Sequence, residues 1–343
     1  MPKYFAKIAP ARTWNSVYLR QHNGNPITMH AAISEMYQRQ QRIEAKLERL
    51  LGAEDVRPPA NAPDTITYRV ALPVTPHGVP AQAATELTLP VDFHMFVPKV
   101  IAKKGLVGYE PGCFPQFLAA LQHAPQGEVF DVGSNIGPYG LLARLFSDRV
   151  VRGFEPAPDL ARVARACGEA NSVPYEVSEI AFGDTNGWAT LYLSDSTDSS
   201  NSLNRSFRSN SYVLKVPVET VDHYVERIGT NVGLIKIDTE STEPAVIRGA
   251  KSTIVSMRPW LLVEVLTDEC GEQIMAELAG TGYRYHHVTG SGQLAEMDKI
   301  SGDPISNFMW LLTPEEVPST HWALSQSWFE QLEAASTNSK VHN

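Results

Sequence analysis

The sequence is poor in the features that mark cross-linked, membrane-spanning or nucleic-acid-binding proteins. Cysteine is scarce: Cys113, Cys167 and Cys270 stand far apart and are odd in number. They give neither a disulfide framework nor a zinc-ligand spacing, so a reducing, cytoplasmic location is expected. No apolar run approaches the roughly 20 residues of a membrane span, and the N-terminal segment lacks the apolar stretch of a signal peptide. Positive charge is in deficit. With a formal net charge of −9, the chain is not suited to neutralising duplex phosphates, and no nucleic-acid partner is assigned.

What is present is an ordinary globular composition, 43% hydrophobic and 20% charged over 343 residues, enough for one large domain or two modest ones. Four regions separate by pattern. In residues 1–52, the opening stretch "MPKYFAKIAPARTWNSVYLR" mixes Lys and Arg with aromatics. It suits either peripheral contact with an anionic membrane surface or an arm packed on a neighbour. The following "AAISEMYQRQQRIEAKLERLLGA" sets Ile33, Gln40 and Leu47 in one heptad position and Met36, Ile43 and Leu50 in another. That seam over 31–52 predicts a helix closing on Gly52. A coiled coil this short is marginal alone, so the seam is completed either by a second copy, giving a homo-oligomer, or by the main domain. Residues 53–84 are rich in Pro and Ala and read as a linker carrying one strand, "TITYRVALPV". Residues 314–343 read as a C-terminal helix and a polar tail.

Between them, residues 85–313 alternate apolar strands with helices. The strands are "GEVFDVG", "RVVRGFEP", "PYEVSEIAFG", "VGLIKIDTE" and "RPWLLVEVL", followed by "YRYHHVTG" and "SNFMWLLTP". Such alternation predicts an α/β fold with a mostly parallel sheet covered on both faces.

In a sheet of this kind a ligand sits beyond the carboxyl ends of the strands. The first such place is "VFDVGSNIGPYG", residues 129–140. Gly133 and Gly137 allow a sharp turn that approaches a ligand without a Cβ in the way, and Pro138 suits the first position of the next helix. The phosphate-binding fingerprints do not fit. Asn135 stands where a dinucleotide turn needs its second glycine, and no lysine ends the turn as in a P-loop. Asp131 at the head of the turn would repel a phosphate and favour a cation. S-adenosylmethionine carries a sulfonium and an ammonium and no phosphate. Glu155, ending the next strand, can accept two ribose hydroxyls, and Ala181 and Asp184 end the third strand, where an adenine would lie.

The stretches "GYEPGCFPQFLAAL", "VFDVGSNIGPYGLLA", "GFEPAPDLA", "IAFGDTNGWATLYLS", "VPVETVDHYV", "GLIKIDTESTEPAVIRGA" and "RPWLLVEV" occur in an order that resembles the FkbM-type family of S-adenosylmethionine-dependent methyltransferases, over roughly 105–313. The resemblance implies a Rossmann-like class I methyltransferase with a seven-stranded sheet, moving a methyl group to a hydroxyl, commonly of a sugar or a glycosylated acceptor. It further implies that Asp131, Gly133, Ser134, Asn135, Gly137 and Tyr139 hold the methionine end of the cofactor. Glu155 and Pro156 would lie at the ribose and Ala181 near the adenine, while Glu110, beside Tyr109, approaches from the other side. One departure stands out: after Glu240, where the family has glycine and a small residue, this chain has Ser241 and Thr242.

Methyl transfer is an in-line displacement, and an alcohol acceptor gains from a base within hydrogen-bond reach. Asp238 and Glu240 end the fourth strand, and strand alternation would place them on one face with Ile237 on the other. Either is a candidate base, or an anchor for the acceptor hydroxyl; bonding only to Lys236 or loop amides is the alternative. With Glu264 they could hold a divalent cation through oxygen ligands, but nothing in the sequence compels it and no metal is assigned. The polar stretch 194–211, with Arg205 and Arg208, suits hydrogen bonds to a glycan or contact with a phosphate on it, or else is a solvated loop. His223, His286 and His287 are weaker candidate bases. Two other functions stay open: a catalytically weak scaffold built on the same fold, which the Ser241–Thr242 departure favours, and an NAD-dependent oxidoreductase, which Asn135 and Asp131 disfavour.

Overall fold

The structure, a computed structural model, describes residues 18–20, 26–28, 65–80, 82–92, 95–194, 201–204, 210–303 and 308–338. The chain divides into two compact units, Met1–Pro59 and Ala60–Asn343. In the first, strands β1 (Tyr18–Arg20) and β2 (Pro26–Thr28) pair antiparallel. The heptad helix expected over 31–52 and most of the basic, aromatic arm lie outside the described residues, as do Arg205, Arg208 and the tail beyond 338.

The second unit begins with an antiparallel pair, β3 (Thr65–Ala71) and β4 (Glu86–Asp92). The strand expected in the Pro/Ala-rich stretch is β3. Helices α1 (Phe96–Tyr109) and α2 (Cys113–His123) lead into β5 (Glu128–Val132), α3 (Pro138–Phe146), β6 (Val151–Phe154), α4 (Pro158–Ala170) and β7 (Glu176–Ser178). Then β8 (Ala181–Phe182), β9 (Gly187–Ser194) and β10 (Asn210–Glu219) precede α5 (Val221–Ile228) and β11 (Val232–Ile237). The chain closes with α6 (Glu243–Gly249), α7 (Lys251–Met257), β12 (Trp260–Glu264), α8 (Asp268–Glu277), β13 (Arg284–Val288), β14 (Leu294–Met297), β15 (Met309–Thr313) and α9 (Ser319–Asn338).

The main sheet has eight strands in the order β14-β13-β15-β12-β11-β5-β6-β7. This corrects the seven expected. Five of them, β12, β11, β5, β6 and β7, run parallel. β15 runs antiparallel between β12 and β13, and β14 folds back antiparallel on β13. The added strand escapes the sequence because "LAEM" buries only Leu294 and carries too little apolar alternation to read as a strand. It is fixed by a tight turn in which Thr289 N donates to Gln293 O at 2.8 Å, with Gly292 at φ 74°. A separate three-stranded sheet, β8-β10-β9, branches off after the third parallel strand.

β11 and β12 are buried at every residue, the mark of parallel strands covered on both faces. One face packs Phe114, Phe117, Tyr139, Phe146 and Trp328 from α2, α3 and α9. The other packs Phe130, Phe154, Phe182 and Tyr224, with ring centroids of Phe154 and Phe182 4.4 Å apart. Full burial of each such side chain is worth about 1.5–3 kcal/mol. Among the described residues no helix is long and apolar enough to cross a membrane.

The strand order fixes where a site can form. From β5 the chain builds outward to β6 and β7, then returns to place β11 and β12 on the other side. The connections diverge at the carboxyl ends of β5 and β11, the place where a ligand is expected in such a sheet. Glu110, just past α1, reaches the same end. Its helix bends at Gly105 (φ 71°), where an added Cβ would lie 3.0 Å from the backbone of Ser336 in α9.

Candidate active site

Past β5 the chain turns through Gly133–Gly137 before α3 begins at Pro138. Gly133 N and Ser134 N both donate to Phe154 O, at 2.9 and 3.1 Å, which ties the turn to the end of β6. Glu155 follows Phe154 and holds two segments at once. Its Oε2 accepts from Asn135 N and its Oε1 from Ala157 N, each at 2.9 Å. Burial pushes the Glu155 carboxyl up to about 7, against the two backbone N–H groups that favour its charge. Each oxygen keeps a further lone pair. Pro156 lies between the two anchored segments.

The turn's glycines serve a different neighbour from the one expected. Gly133 and Gly137 have φ of 71° and 84°. A Cβ on Gly133 would strike the carbonyl oxygen of Asp238, and one on Gly137 the hydroxyl of Tyr175. The Tyr175 ring also lies against Gly140 and Gly153, and its hydroxyl donates to Gly137 O at 3.3 Å. These glycines therefore let the protein's own chain come close. Asn135 takes the left-handed region too (φ 51°), with its Oδ1 accepting from Ile136 N at 2.7 Å, a conformation Asn tolerates better than most residues.

Asp131 is fully buried, and its neighbour in register on β11 is Lys236. The Lys236 ammonium is 3.6 Å from Asp131 Oδ1 and 3.2 Å from Asp238 Oδ2, and it donates to Gly133 O at 2.9 Å. It also stands 5.1 Å above the Tyr139 ring. Burial works against the charge of Lys236, but Asp238, Asp131 and Glu110 outweigh it and hold the ammonium above the usual lysine range. Asp131 Oδ2 accepts from Gly140 N at 3.0 Å. Burial raises the Asp131 carboxyl and Lys236 opposes that rise. The cation that answers Asp131 is thus within the chain, a correction to the expectation that it faces the donor directly. Tyr139 donates its hydroxyl to Glu110 and is clamped by Phe114 and Phe117, with ring centroids 4.6 and 4.9 Å away. Burial, reinforced by the charge of Asp238, lifts Glu110 to about 7.

β11 ends at Ile237, and Asp238 N donates to Val132 O at 3.1 Å as a last rung. Strand alternation does not extend to Glu240. Glu240 and Ser241 have φ of 55° and 83°, so the chain turns back instead. Glu243 builds that turn: its buried Oε1 accepts from Thr239 N at 2.9 Å, Thr239 Oγ1 at 3.0 Å and Ser241 N at 3.2 Å. The turn nevertheless returns Glu240 to the site. One carboxylate oxygen from each of Asp238, Glu240 and Glu264 lies within 4.8 Å of the others. From the polar loop, Ser202 Oγ donates to Glu240 O at 2.5 Å, and Ser202 bridges to Tyr192.

The remaining candidates have their own partners. Ala181 is buried in β8, paired with Val218 of β10, and Asp184 forms an exposed ion pair with Arg248 at 2.7 Å. His223 binds Glu219 at 2.6 Å, and His286 binds Thr313 at 3.1 Å; His287 lies beside the Trp310 ring, with centroids 4.7 Å apart. Sequence reasoning gave no central part to Lys236, Glu243 or Tyr175. A lysine inside the apolar run "GLIKI" was the signal for the first. Glu243 keeps its place in the family-like stretch "KIDTESTE", and Tyr175 left no signal.

Residues 131–285 match the family model described as the Methyltransferase FkbM domain. No curated protein matches the sequence. Among solved structures, Methyltransferase FkbM from Methylobacillus flagellatus KT is similar at 13% identity and a TM-score of 0.34, covering 64% of this chain. The match spans 56% of the Methylobacillus chain. A putative SAM-dependent methyltransferase from Streptococcus mutans is similar at 11% identity and a TM-score of 0.39, over 74% of this chain and 56% of its own. An O-methyltransferase from Bacillus cereus, in complex with SAH, is similar at 13% identity and a TM-score of 0.33, over 59% and 80%.

Proposed function

We propose that this protein is an S-adenosylmethionine-dependent methyltransferase that moves a methyl group to a hydroxyl of a saccharide or glycosylated acceptor, a reading supported by the match of residues 131–285 to the Methyltransferase FkbM domain. The observation that carries the chemistry is the gathering of Asp238 and Glu240 at the carboxyl end of β11, beside the turn after β5.

The residues fit the cofactor. Its sulfonium and ammonium outnumber its one carboxylate, and among the described residues at this edge the carboxylates of Asp131, Asp238 and Glu110 outnumber the ammonium of Lys236. Ser134 Oγ is buried there with no hydrogen-bond partner. Glu155, Asn135 and Ser134 would hold it on one side and Glu110 on the other. When bound, the cofactor supplies a methyl group on a positive sulfur, to which the electrons of the carbon–sulfur bond return as the acceptor oxygen takes the carbon. The chain's part is to place the acceptor oxygen in line and to take its proton. A carboxylate oxygen of Asp238 or Glu240 receives that proton. Lys236, 3.2 Å from Asp238 Oδ2, fixes the orientation of that carboxylate, and the turn built by Glu243 fixes Glu240.

The hydroxyl of Ser202, from the polar stretch and bonded to the backbone of Glu240, supports a hydroxyl-rich acceptor. The Ser241–Thr242 departure does not by itself favour a scaffold, because Glu243 supplies the bonds that hold a bulkier turn.

Titration calorimetry with S-adenosylhomocysteine and with NAD tests this reading. Binding of the first alone is expected, and loss of the Glu155 carboxylate in Glu155→Ala should weaken it about tenfold or more. Silence towards S-adenosylhomocysteine, or an unchanged affinity in the variant, would overturn the assignment of the cofactor or of Glu155 respectively.

A further inference from the structure

We propose that Asp238, Glu240 and Glu264 form a divalent-cation site at the carboxyl ends of β11 and β12. Two independent observations meet there. The first is geometric: one carboxylate oxygen from each residue lies within 4.8 Å of the others. Oxygens on opposite sides of a bound ion stand about 5 Å apart around Ca2+ and about 4 Å apart around Mg2+, and adjacent ones closer, so the three oxygens are near enough to share one ion.

The second is the state of Glu264. Its side chain is only 7% exposed, and its Oε2 has no hydrogen-bond partner. A buried carboxylate oxygen without a partner is costly, and folded proteins rarely leave one. The protein's own cation does not relieve it. Lys236 is committed to Asp131, Asp238 and the carbonyl of Gly133. Glu264 instead faces Asp238, Glu240, Glu243 and Glu110, all acidic. A cation at the centre of the three ligands would satisfy the stranded oxygen and offset the repulsion together.

The donor set selects the metal class. All three ligands are carboxylates, with no His and no Cys among them, which suits a hard ion such as Mg2+ or Mn2+ rather than zinc. Three protein ligands leave further coordination positions open, and two neighbouring oxygens of one acceptor, as in a vicinal diol, could take them. That role rests on the methyltransferase reading; the cation site does not.

The test uses the full chain, freed of metal with a chelator, and Mn2+ as the probe. Titration followed by electron paramagnetic resonance should show one saturable Mn2+ site. Glu264→Gln should weaken it by at least ~10-fold, since even outer-shell changes cost that much, and the same is expected of Asp238→Asn should the first variant fail to fold. Absence of saturable binding in the unmodified chain, or equal binding in a folded variant, overturns the site. S-adenosylhomocysteine titrated into the same samples separates the two proposals. Mn2+ binding without the nucleoside would sink the methyltransferase reading and leave the site standing; the nucleoside without Mn2+ would do the reverse.

Discussion

Lys236 carries the heaviest single obligation in the molecule. It is 3% exposed, touches two carboxylates, and lies across from the fully buried Asp131. Removing one member of such a set strands the rest, which typically costs 3–5 kcal/mol, whereas removing both partners costs far less. Lys236→Met should therefore lower the unfolding free energy by roughly that amount, and Lys236→Met with Asp131→Asn should recover part of it, as read by denaturant unfolding. A double variant no more stable than the single one would mean that the pair is not what holds the strands' ends. At this scale the sequence was legible where a residue's place depended on its own strand. Asp131 lies one residue before the end of β5, and Glu155 and Asp238 directly follow β6 and β11. The partner of Asp131 was not legible, because it is chosen by strand register across a gap of more than a hundred residues.

Among elements, the turn after β11 shows what a one-dimensional pattern hides. Alternation placed Glu240 correctly beside Asp238 but for the wrong reason, since the chain there has left the strand. Glu240 and Ser241 both occupy the left-handed region, which costs about 1–2 kcal/mol for a residue with a Cβ, while glycine's extra freedom in the unfolded chain costs only about 0.5–1 kcal/mol. Ser241→Gly should thus stabilise the protein by up to about 1 kcal/mol and raise its melting temperature by a few degrees. A lower melting temperature would show that the serine earns its place through its side chain. The same limit applies to the glycine turn after β5. Its position was readable, yet the occupant of its open space, Tyr175, comes from the lead-in to β7 and leaves no local mark.

For the molecule as a whole, the buried carboxyls make stability depend on pH. Glu110 and Glu155 rise from an ordinary 4.5 to about 7 on folding, in both cases chiefly through burial. A carboxyl raised in this way favours the folded state while protonated. Its contribution is complete below the unfolded value near 4.5 and is lost as pH climbs through 7. Between those limits the melting temperature of Glu110→Gln, and of Glu155→Gln, should fall less steeply with pH than that of the unmodified protein. Parallel curves would refute the burial of those charges. The alternating strands and helices were plain from the sequence because hydrophobic periodicity fixes them. The eighth strand and the pairing of β9 with β10 were not, because strands that expose residues such as Met297, Trp188 and Val213 lack that imprint.

One joint spans the ends of the second unit. At Gly105 the first long helix bends against Ser336 in the last one, and only five positions later the chain presents Glu110. The C-terminal helix therefore works as a splint for the arm that delivers this carboxyl. Trimming the protein back past Ser336 would remove the support of that bend and with it the seat of Glu110.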